Sequence, residues 1–423
     1  MKKAKWIGRT LGLISTAAVL SGLGGSVVHA QDTPQQKISP ASEMAADKYG
    51  LEPTYRSAAS DYRHAAYTGD AVVFAAASIA ADGSRIETAK NYDIEAVRLK
   101  QGETTEFTVT VPVDGLYRVG FEYYDDTDTI LPVKVALAVD GAFPFYEMRN
   151  QLFASRWTYG NADFQKDRYG NEVVPESKKV QQWQTKMLRD ASGMVSDDLL
   201  LELSAGKHVW TLSCEQSEML IGKVALLPVE TDSFNEEGEP QGAGLYILPG
   251  EKPTYKSDST IRPGGEYNPD LRPYQAGNTV MNMLDGNSFS AGEQRVTYSF
   301  TVEQDGYYAI GIRYRQDAKA NFPVYRDIYI DDKIQSPSYA VVPFDYTTKF
   351  QNKEVRNKQT DRLAGVWLTA GETHTISLQV NLESLASVAQ TVKNLVENVQ
   401  ALSLDITKMT GNNTEKYRDF DLN

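Results

Sequence analysis

One decamer occurs twice in this chain and constrains its fold more than any other feature. DGLYRVGFEY at residues 114–123 returns as DGYYAIGIRY at residues 305–314, an offset of 191 residues. The match continues at that offset through TTEFTVTVPVDG and RVTYSFTVEQDG, and then through LAVDG and IYIDD. A later pair, LSAGKHVWTL and LTAGETHTISL, begins at residues 203 and 368, so the second unit is 26 residues shorter in its middle. Solenoid repeats have periods of about 20–50 residues, so this spacing indicates a duplicated domain.

Both units consist of short alternations of apolar and polar residues separated by turn sequences. Val, Ile, Thr, Tyr and Phe recur at every second position, which is the period of a half-buried strand. Asp-Gly and Ala-Gly pairs separate the runs, and glycine allows the positive φ that tight strand connections need. The sequence therefore predicts a mainly β protein with two tandem antiparallel β-sandwich domains of the jelly-roll type.

Apolar residues at spacings of three and four predict a long C-terminal amphipathic helix at residues 382–410. They are Leu382, Leu385, Ala389, Val392, Val396, Val399, Leu402, Ile406 and Met409. The helix replaces the strand that would close the second unit. Its apolar stripe either covers its own sandwich or docks onto a missing partner, and the sequence leaves both interpretations open.

The first thirty residues have the pattern of a secretory signal. Four basic residues precede an apolar stretch that ends in Val-His-Ala, and a glycine-broken stretch of this length is short for a membrane span. The only cysteine is Cys214, so there is no lipid-accepting cysteine and no disulfide framework. We therefore expect a secreted, extracellular protein with no membrane insertion after cleavage. The net charge of −13 disfavours nucleic acid as a partner.

These patterns divide the chain into seven predicted segments. The segments are a signal peptide (1–30), a helical lead-in or linker (31–66), a first β-sandwich module (67–230), a linker (231–254), a second β-sandwich module (255–381), the amphipathic helix (382–410) and a tail (411–423).

Residues that could support catalysis or bind a metal are scarce. After signal cleavage the histidines are His64, predicted on a helix surface, and His208 and His374, predicted to have structural roles because they stand at nearly equivalent places in the two units. The acidic run DDTD (125–128) could ligate Ca²⁺, but the second unit has RQDAKA there, and a solvated loop is favoured. No metalloprotease, P-loop or dinucleotide motif is present, so we expect no catalytic site and no enzyme activity.

The order VPVDGLYRVGFEY, VKVALAVDG, LSAGKHVWTL, IGKVALLPV resembles the carbohydrate-binding modules of the galactose-binding-like β-sandwich group. Residues 148–208 and the segment TVKNLVENVQALSLDITKMTGNNTEKYRDFD (391–421) are similar to the N-terminal region of bacterial extracellular solute-binding proteins of sugar ABC transporters. The resemblance implies a carbohydrate ligand and an ABC transporter association. In the long relatives an α/β binding domain follows this point, and this sequence contains none.

Many modules of that group hold a structural Ca²⁺ between a Glu on the first strand and an Asp on the last. Here the first strand reads VVFAAAS and the last IGKVALL, and neither contains the acid. We therefore expect no cofactor and no metal, with a structural Ca²⁺ as the open alternative.

The extra residues of the first unit are rich in the groups that bind sugars. Aromatic rings stack on the C–H face of a pyranose, while amides, carboxylates and guanidinium groups bind its hydroxyls. The predicted ligand-binding residues are Arg156, Trp157, Tyr159, Asp167, Asn171 and Trp183. Trp157 and Trp183 could instead fill the sandwich core. In the second unit Tyr339, Phe344 and Tyr346 form a weaker candidate, and Trp367 is expected in the core.

The leading hypothesis is a secreted, non-catalytic protein that binds a poly- or oligosaccharide and is part of, or associated with, a sugar ABC transporter system. The alternative is a scaffold that docks on other proteins, including transporter components, through the C-terminal helix. A polysaccharide-degrading enzyme is the third and weakest hypothesis.

Overall fold

The computed structural model describes residues 52–89, 95–160, 163–229, 234–241 and 244–410. The predicted signal peptide and tail lie outside the described residues. The described residues form helices α1 (Tyr55–Ser60), α2 (Ala76–Ile79) and α3 (Glu383–Thr410). None of the described helices is long and apolar enough to cross a membrane.

The strands fall into two groups along the chain. The first group is β1 (Val72–Ala75), β2 (Arg85–Thr88), β3 (Glu95–Leu99), β4 (Thr104–Val111), β5 (Gly115–Tyr124), β6 (Val133–Val139), β7 (Gln151–Phe153), β8 (Arg156–Thr158), β9 (Lys178–Val180), β10 (Gln184–Met187), β11 (Leu200–Leu203), β12 (Gly206–Gln216) and β13 (Met219–Leu227). The second group is β14 (Tyr255–Lys256), β15 (Pro263–Gly264), β16 (Met283–Leu284), β17 (Arg295–Thr301), β18 (Gly306–Ala309), β19 (Gly311–Gln316), β20 (Val324–Ile330), β21 (Val342–Phe344), β22 (Thr347–Glu354), β23 (Gly365–Leu368) and β24 (Thr373–Asn381).

Sandwich 1 packs two antiparallel sheets over one core. One sheet has the order β10-β5-β13-β3-β2, with β1 also on β13 and β11 also on β5, and the other has the order β4-β12-β6-β7. Along β4 every second residue is buried, because one face of the sheet meets the core while the other meets water. Phe107, Phe121 and Trp210 are almost fully buried in this core.

Sandwich 2 repeats the central strands of sandwich 1. In its large sheet, β21-β20-β24-β17 correspond in order to β7-β6-β12-β4, and β14 is an additional strand on β17. The pairs β18-β23 and β19-β22 face this sheet. Ile328, Tyr339 and Val366 are buried between these layers. Two antiparallel sandwiches followed by a long helix confirm the predicted fold class.

The 26-residue excess of the first unit does not stay with sandwich 1. Its strands β8 and β9 extend the large sheet of sandwich 2, where β8 pairs with β14. The contact region between the two sandwiches, which we call the joint, also contains a salt bridge. The Nη1 atom of Arg189 lies 3.2 Å from the Glu293 carboxylate. The two sandwiches therefore share a sheet and a salt bridge, which fixes one against the other.

Residues 234–241 and 244–254, most of the predicted linker, lie against sandwich 2. Gly238 exchanges backbone hydrogen bonds with Gly365 at the edge of β23. The side chains of Tyr246 and Leu248 pack against the core of sandwich 2. This stretch is therefore extended and packs against sandwich 2 through some of its side chains, although its composition is typical of a linker.

Three local expectations were wrong, and one of the two interpretations left open for the C-terminal helix is excluded. Asp125 of the DDTD run is 3% exposed and binds Lys179 at 2.8 Å, so its loop is not simply solvated. Trp367 is 54% exposed, because it points outward from β23. His64 lies beyond the end of α1, not on its surface. The apolar stripe of α3 does not cover sandwich 2, since Val392 and Val399 are more than half exposed.

Candidate functional site

β8 places Arg156 and Trp157 on opposite sides of the shared sheet. Trp157 is 5% exposed, and the Nζ of Lys179 lies 5.5 Å from its ring centroid. Arg156 is exposed and lies 5.5 Å from the ring of Tyr255, at a cleft of about 190 Å³ between the sandwiches. Because the Trp157 ring is buried on a strand that pairs with sandwich 2, it acts as packing for the joint. Arg156 keeps access to solvent.

Tyr159 belongs to the same joint. It is 8% exposed, and its hydroxyl donates a hydrogen bond of 2.5 Å to the carbonyl oxygen of Ile261. The Nζ of Lys256 lies 3.0 Å from that hydroxyl and 2.6 Å from the hydroxyl of Ser177. Lys256 is 2% exposed, and burial lowers its pKa to about 8. This network holds the insertion against sandwich 2.

Asp167 and Asn171 close a hairpin turn. The carboxylate of Asp167 accepts hydrogen bonds from the backbone N–H groups of Tyr169 (2.8 Å) and Asn171 (2.9 Å). The side-chain amide of Asn171 donates to the same carboxylate and holds the pKa of Asp167 below its usual value. The side-chain oxygen of Asn171 accepts a hydrogen bond of 3.0 Å from the N–H of Thr279. The turn is thus docked on sandwich 2.

Trp183 lies apart from the other five predicted residues. Its ring is half-buried and packs against Tyr124, with centroids 5.4 Å apart. The structure therefore brings five of the six residues to the joint, and leaves Trp183 on sandwich 1. Of the weaker candidates in the second unit, Tyr339 and Phe344 are buried and Tyr346 is exposed.

The hairpin shapes an open cleft between the insertion and sandwich 2. Lys166 and Glu172 pair across the hairpin, and both line the cleft. Its volume is about 360 Å³, within the range of roughly 300–1,000 Å³ usual for small-molecule sites. The full lining is Asp163, Phe164, Lys166, Glu172, Pro249, Glu251, Lys252, Pro273 and Met281. We call this the joint cleft.

The joint cleft combines charged groups with an apolar wall. Lys252 lies 3.3 Å from the Asp163 carboxylate and 5.4 Å from the ring of Phe164. Glu172 accepts a hydrogen bond of 2.7 Å from the backbone N–H of Met281. Burial raises the pKa of Glu251, and the nearby Glu172 adds to this shift. The cleft can therefore both accept and donate hydrogen bonds to a polar ligand.

Sequence reasoning missed the lining residues of the joint cleft. The region was indicated by the aromatic insertion, but its second wall comes from residues 249–252, which read as a linker. Nothing in a linear pattern pairs that stretch with a hairpin some 80 residues earlier. Within the described residues, no group of three or more His, Cys, Asp or Glu is arranged to hold a metal ion. The absence of a cofactor remains a prediction.

Comparison with family models identifies the C-terminal segment. Residues 387–423 match the model described as bacterial solute-binding protein, 4-helix bundle domain. This match confirms the resemblance inferred for that segment, and α3 contains its residues 387–410. No match was found among the curated proteins.

Several solved structures align with part of the chain. A family 35 carbohydrate-binding module from Clostridium thermocellum is 15% identical over 37% of this chain and 98% of its own, with a TM-score of 0.22. The C-terminal CBM6 of the Zobellia galactanivorans laminarinase LamC is 13% identical over 37% of this chain and 99% of its own, with a TM-score of 0.22. The Podospora anserina GH26-CBM35 mannanase is 10% identical over 40% of this chain, with a TM-score of 0.25, and the match spans 30% of that enzyme.

Proposed function

We propose that this protein is a secreted, non-catalytic carbohydrate-binding component of a solute-binding system for sugar uptake. The observation that carries the binding proposal is the joint cleft, where carboxylates, ammonium groups and an aromatic side chain converge between the insertion and sandwich 2. The link to solute binding is supported by the match of residues 387–423 to a solute-binding protein domain. Secretion is proposed from the N-terminal signal pattern.

The chemistry of the cleft suits an oligosaccharide. Glu172 and Glu251 can accept hydrogen bonds from sugar hydroxyls, while Lys166 and Lys252 can donate to them. Pro249 and Pro273, backed by the largely buried side chains of Phe164 and Met281, offer an apolar wall for the C–H face of a pyranose. A cleft with both kinds of group is what recognition of a neutral, hydroxyl-rich ligand requires.

Binding is tested by isothermal calorimetry or affinity gels with a polysaccharide panel. We expect Lys166→Ala and Lys252→Ala each to weaken binding about tenfold, because a hydrogen bond from a charged group contributes roughly 1.5–3 kcal/mol. Both lysines are exposed, so the variants should fold. Lys207→Ala is the matched control, since this exposed lysine lies on β12 of sandwich 1, away from the cleft.

The same panel locates the site. If Trp367→Ala abolishes binding while the two cleft variants retain it, the ligand lies on the exposed ring of β23 and the joint cleft is the wrong site. If no member of the panel binds the unmodified protein, the carbohydrate proposal fails. Release of reducing sugar that disappears in Glu251→Gln would contradict the non-catalytic proposal, because that residue is the buried carboxyl of the cleft.

A second function, protein docking through α3, is favoured by the exposure of its apolar residues. Val388, Val392, Leu395, Val399 and Leu402 are all more than half exposed, although they follow the spacing of a buried stripe. Binding to a purified solute-binding domain or permease should be lost without residues 382–423. Val392→Asp with Leu395→Asp should abolish it, whereas Ser387→Asp on the same helix should not.

A further inference from the structure

Among the residues that the structure describes, sandwich 2 has no counterpart of the last strand of sandwich 1. In sandwich 1 the chain leaves β12 at Gln216 and returns as β13 from Met219 onward, between β1 and β5. In sandwich 2 the chain leaves β24 at Asn381 and enters α3 at Glu383. The helix therefore begins at the point in the chain where the closing strand would begin.

The backbone shows which side of β18–β19 this leaves open. The N–H of Val355 donates to the carbonyl of Ile310 at 2.9 Å, just as the N–H of Leu188 donates to the carbonyl of Val119 at 3.1 Å in sandwich 1. Val119 and Ile310 are matching positions. The carbonyl of Val119 points to the side of β5 that β10 and β11 occupy, and the carbonyl of Ile310 points to the side of β18–β19 that β22 and β23 occupy. Because the hydrogen-bonding groups of successive strand residues alternate in direction, the flanking residues point to the opposite side.

The flanking residues of Ile310 are Ala309, Gly311 and, one step further, Arg313. In the sandwich 1 match, Gly120 lies opposite Ala225 of β13. In the part of sandwich 2 that the structure describes, β18 pairs only with β23 and β19 only with β22. Ala309 and Gly311 are exposed, and a Cβ added to Gly311 would meet nothing within 4 Å. This side is an open sheet edge.

The core beneath that edge is incompletely covered. Ile310, Ile312 and Tyr314 point inward but remain only half-buried. Their counterparts in sandwich 1 are Val119, Phe121 and Tyr123, which are 0%, 1% and 3% exposed beneath β13. The greater exposure in sandwich 2 is what a core without its closing strand would show.

The segment on the other side of the gap, residues 244–249, also has a counterpart in sandwich 1. The N–H of Gln241 donates to the carbonyl of Tyr307 at 3.3 Å, as the N–H of Tyr67 donates to Leu116 at 2.9 Å. Counted from these anchors, Tyr246 and Leu248 match Val72 and Phe74 of β1, and both pairs pack against their own cores. β1 pairs with β13, whereas residues 246–249 form no strand.

We propose that this gap, the strand slot, receives an extended apolar strand that runs antiparallel to β18–β19 as β13 does to β5. Its inward positions carry side chains like Val224 and Leu226 of β13, both 0% exposed, opposite Ile312 and Ile310. The strand comes from the polypeptide that supplies the remaining helices of the bundle. α3 leaves sandwich 2 where the strand is missing. Residues 387–423 match the model of a four-helix bundle domain, and the described part of that segment forms one helix, whereas the bundle needs four.

Amide hydrogen exchange on the unmodified protein tests the slot. The amides of Ala309, Gly311 and Arg313 should exchange at least a hundredfold faster than those of Ile312, which lies in the β19–β22 ladder, and Val355, whose N–H donates to Ile310, because the edge amides have no strand partner. Equal protection of both sets would overturn the proposal. Protection that rises with protein concentration would also overturn it, since a second copy of the chain would then fill the slot.

A synthetic peptide tests which kind of strand the strand slot accepts. A synthetic peptide with the sequence of residues 218–228, which contains β13, should slow exchange at the three edge amides about tenfold or more. The same peptide with Asp in place of Val224 and Leu226 should have no effect, because carboxylates would face the core. Ala309→Pro removes one edge N–H and should abolish the protection, while edge strands tolerate proline. No protection by the β13 peptide, or protection unaffected by Ala309→Pro, would overturn the proposal.

Discussion

His208 and His374 occupy matching positions and perform the same structural task. The Nδ1 of His208 lies 2.6 Å from Asp140, and that of His374 lies 2.8 Å from Asp331, in the turns where each aspartate adopts a positive φ. The Nε2 atoms face the carbonyl oxygens of Ser204 and Thr369, both at 2.9 Å. Each imidazole therefore ties a hairpin turn to the start of the next strand, as the sequence predicted for a structural role.

The pH dependence of stability follows from this contact. Burial alone would lower the pKa of His374, but the hydrogen bonds to Asp331 and Thr369 outweigh burial, so its pKa is raised. A raised pKa in the folded state stabilises the protein below the unfolded value of about 6.5, and this contribution is lost as pH rises through the folded pKa. We expect His374→Gln to reduce stability at pH 5.5 by about 1 kcal/mol, since Asp331 is partly exposed.

Thermal unfolding of the unmodified protein and of His374→Gln across pH 5 to 9 measures this effect. The difference in melting temperature should shrink as pH rises, because the imidazole of the unmodified protein becomes neutral. A difference that stays constant over the range would show that His374 acts by packing alone.

At the scale of elements, the strands β8 and β9 connect the two sandwiches. Trp157 on β8 is therefore part of the joint. Trp157→Ala should lower the free energy of unfolding by about 3–5 kcal/mol, the usual cost of removing a buried aromatic ring. Trp183→Ala, at a half-buried ring outside the joint, should cost about 1–2 kcal/mol. Denaturant unfolding measures both. A larger loss for Trp183→Ala would mean that the joint does not depend on Trp157.

Sequence patterns predicted the strands of this region but not all of their pairing partners. Alternation along β4 and β17, together with the shared decamer, predicted the strands, the turns and the duplicated fold, because these depend on residues a few positions apart. The strand with which β8 pairs could not be predicted in that way. Its pairing with β14 depends on about a hundred intervening residues, and a three-residue strand has no periodicity to reveal its partner. Aromatic composition indicated an unusual segment and could not separate a ligand platform from a joint.

For the molecule as a whole, the decisive property is how closely the two sandwiches approach. Gly193, with a φ of 70°, lies directly against Gly292 across the joint. A Cβ on Gly292 would lie 2.5 Å from the carbonyl oxygen of Ser192 and 2.9 Å from the Cα of Gly193. Both are backbone atoms, so relief requires the sandwiches to separate. The insertion that forms one wall of the joint cleft is continuous in the chain with sandwich 1, so this separation should shift that wall relative to sandwich 2.

Gly292→Ala should therefore destabilise the joint by about 1–3 kcal/mol and weaken carbohydrate binding at the same time. Gly286→Ala is the matched control, because a Cβ there meets nothing within 4 Å. Small-angle scattering and calorimetric binding, measured on both variants, separate the two effects. If Gly292→Ala loosens the joint but leaves binding intact, the ligand does not depend on the spacing of the two sandwiches, and the site must lie within one of them.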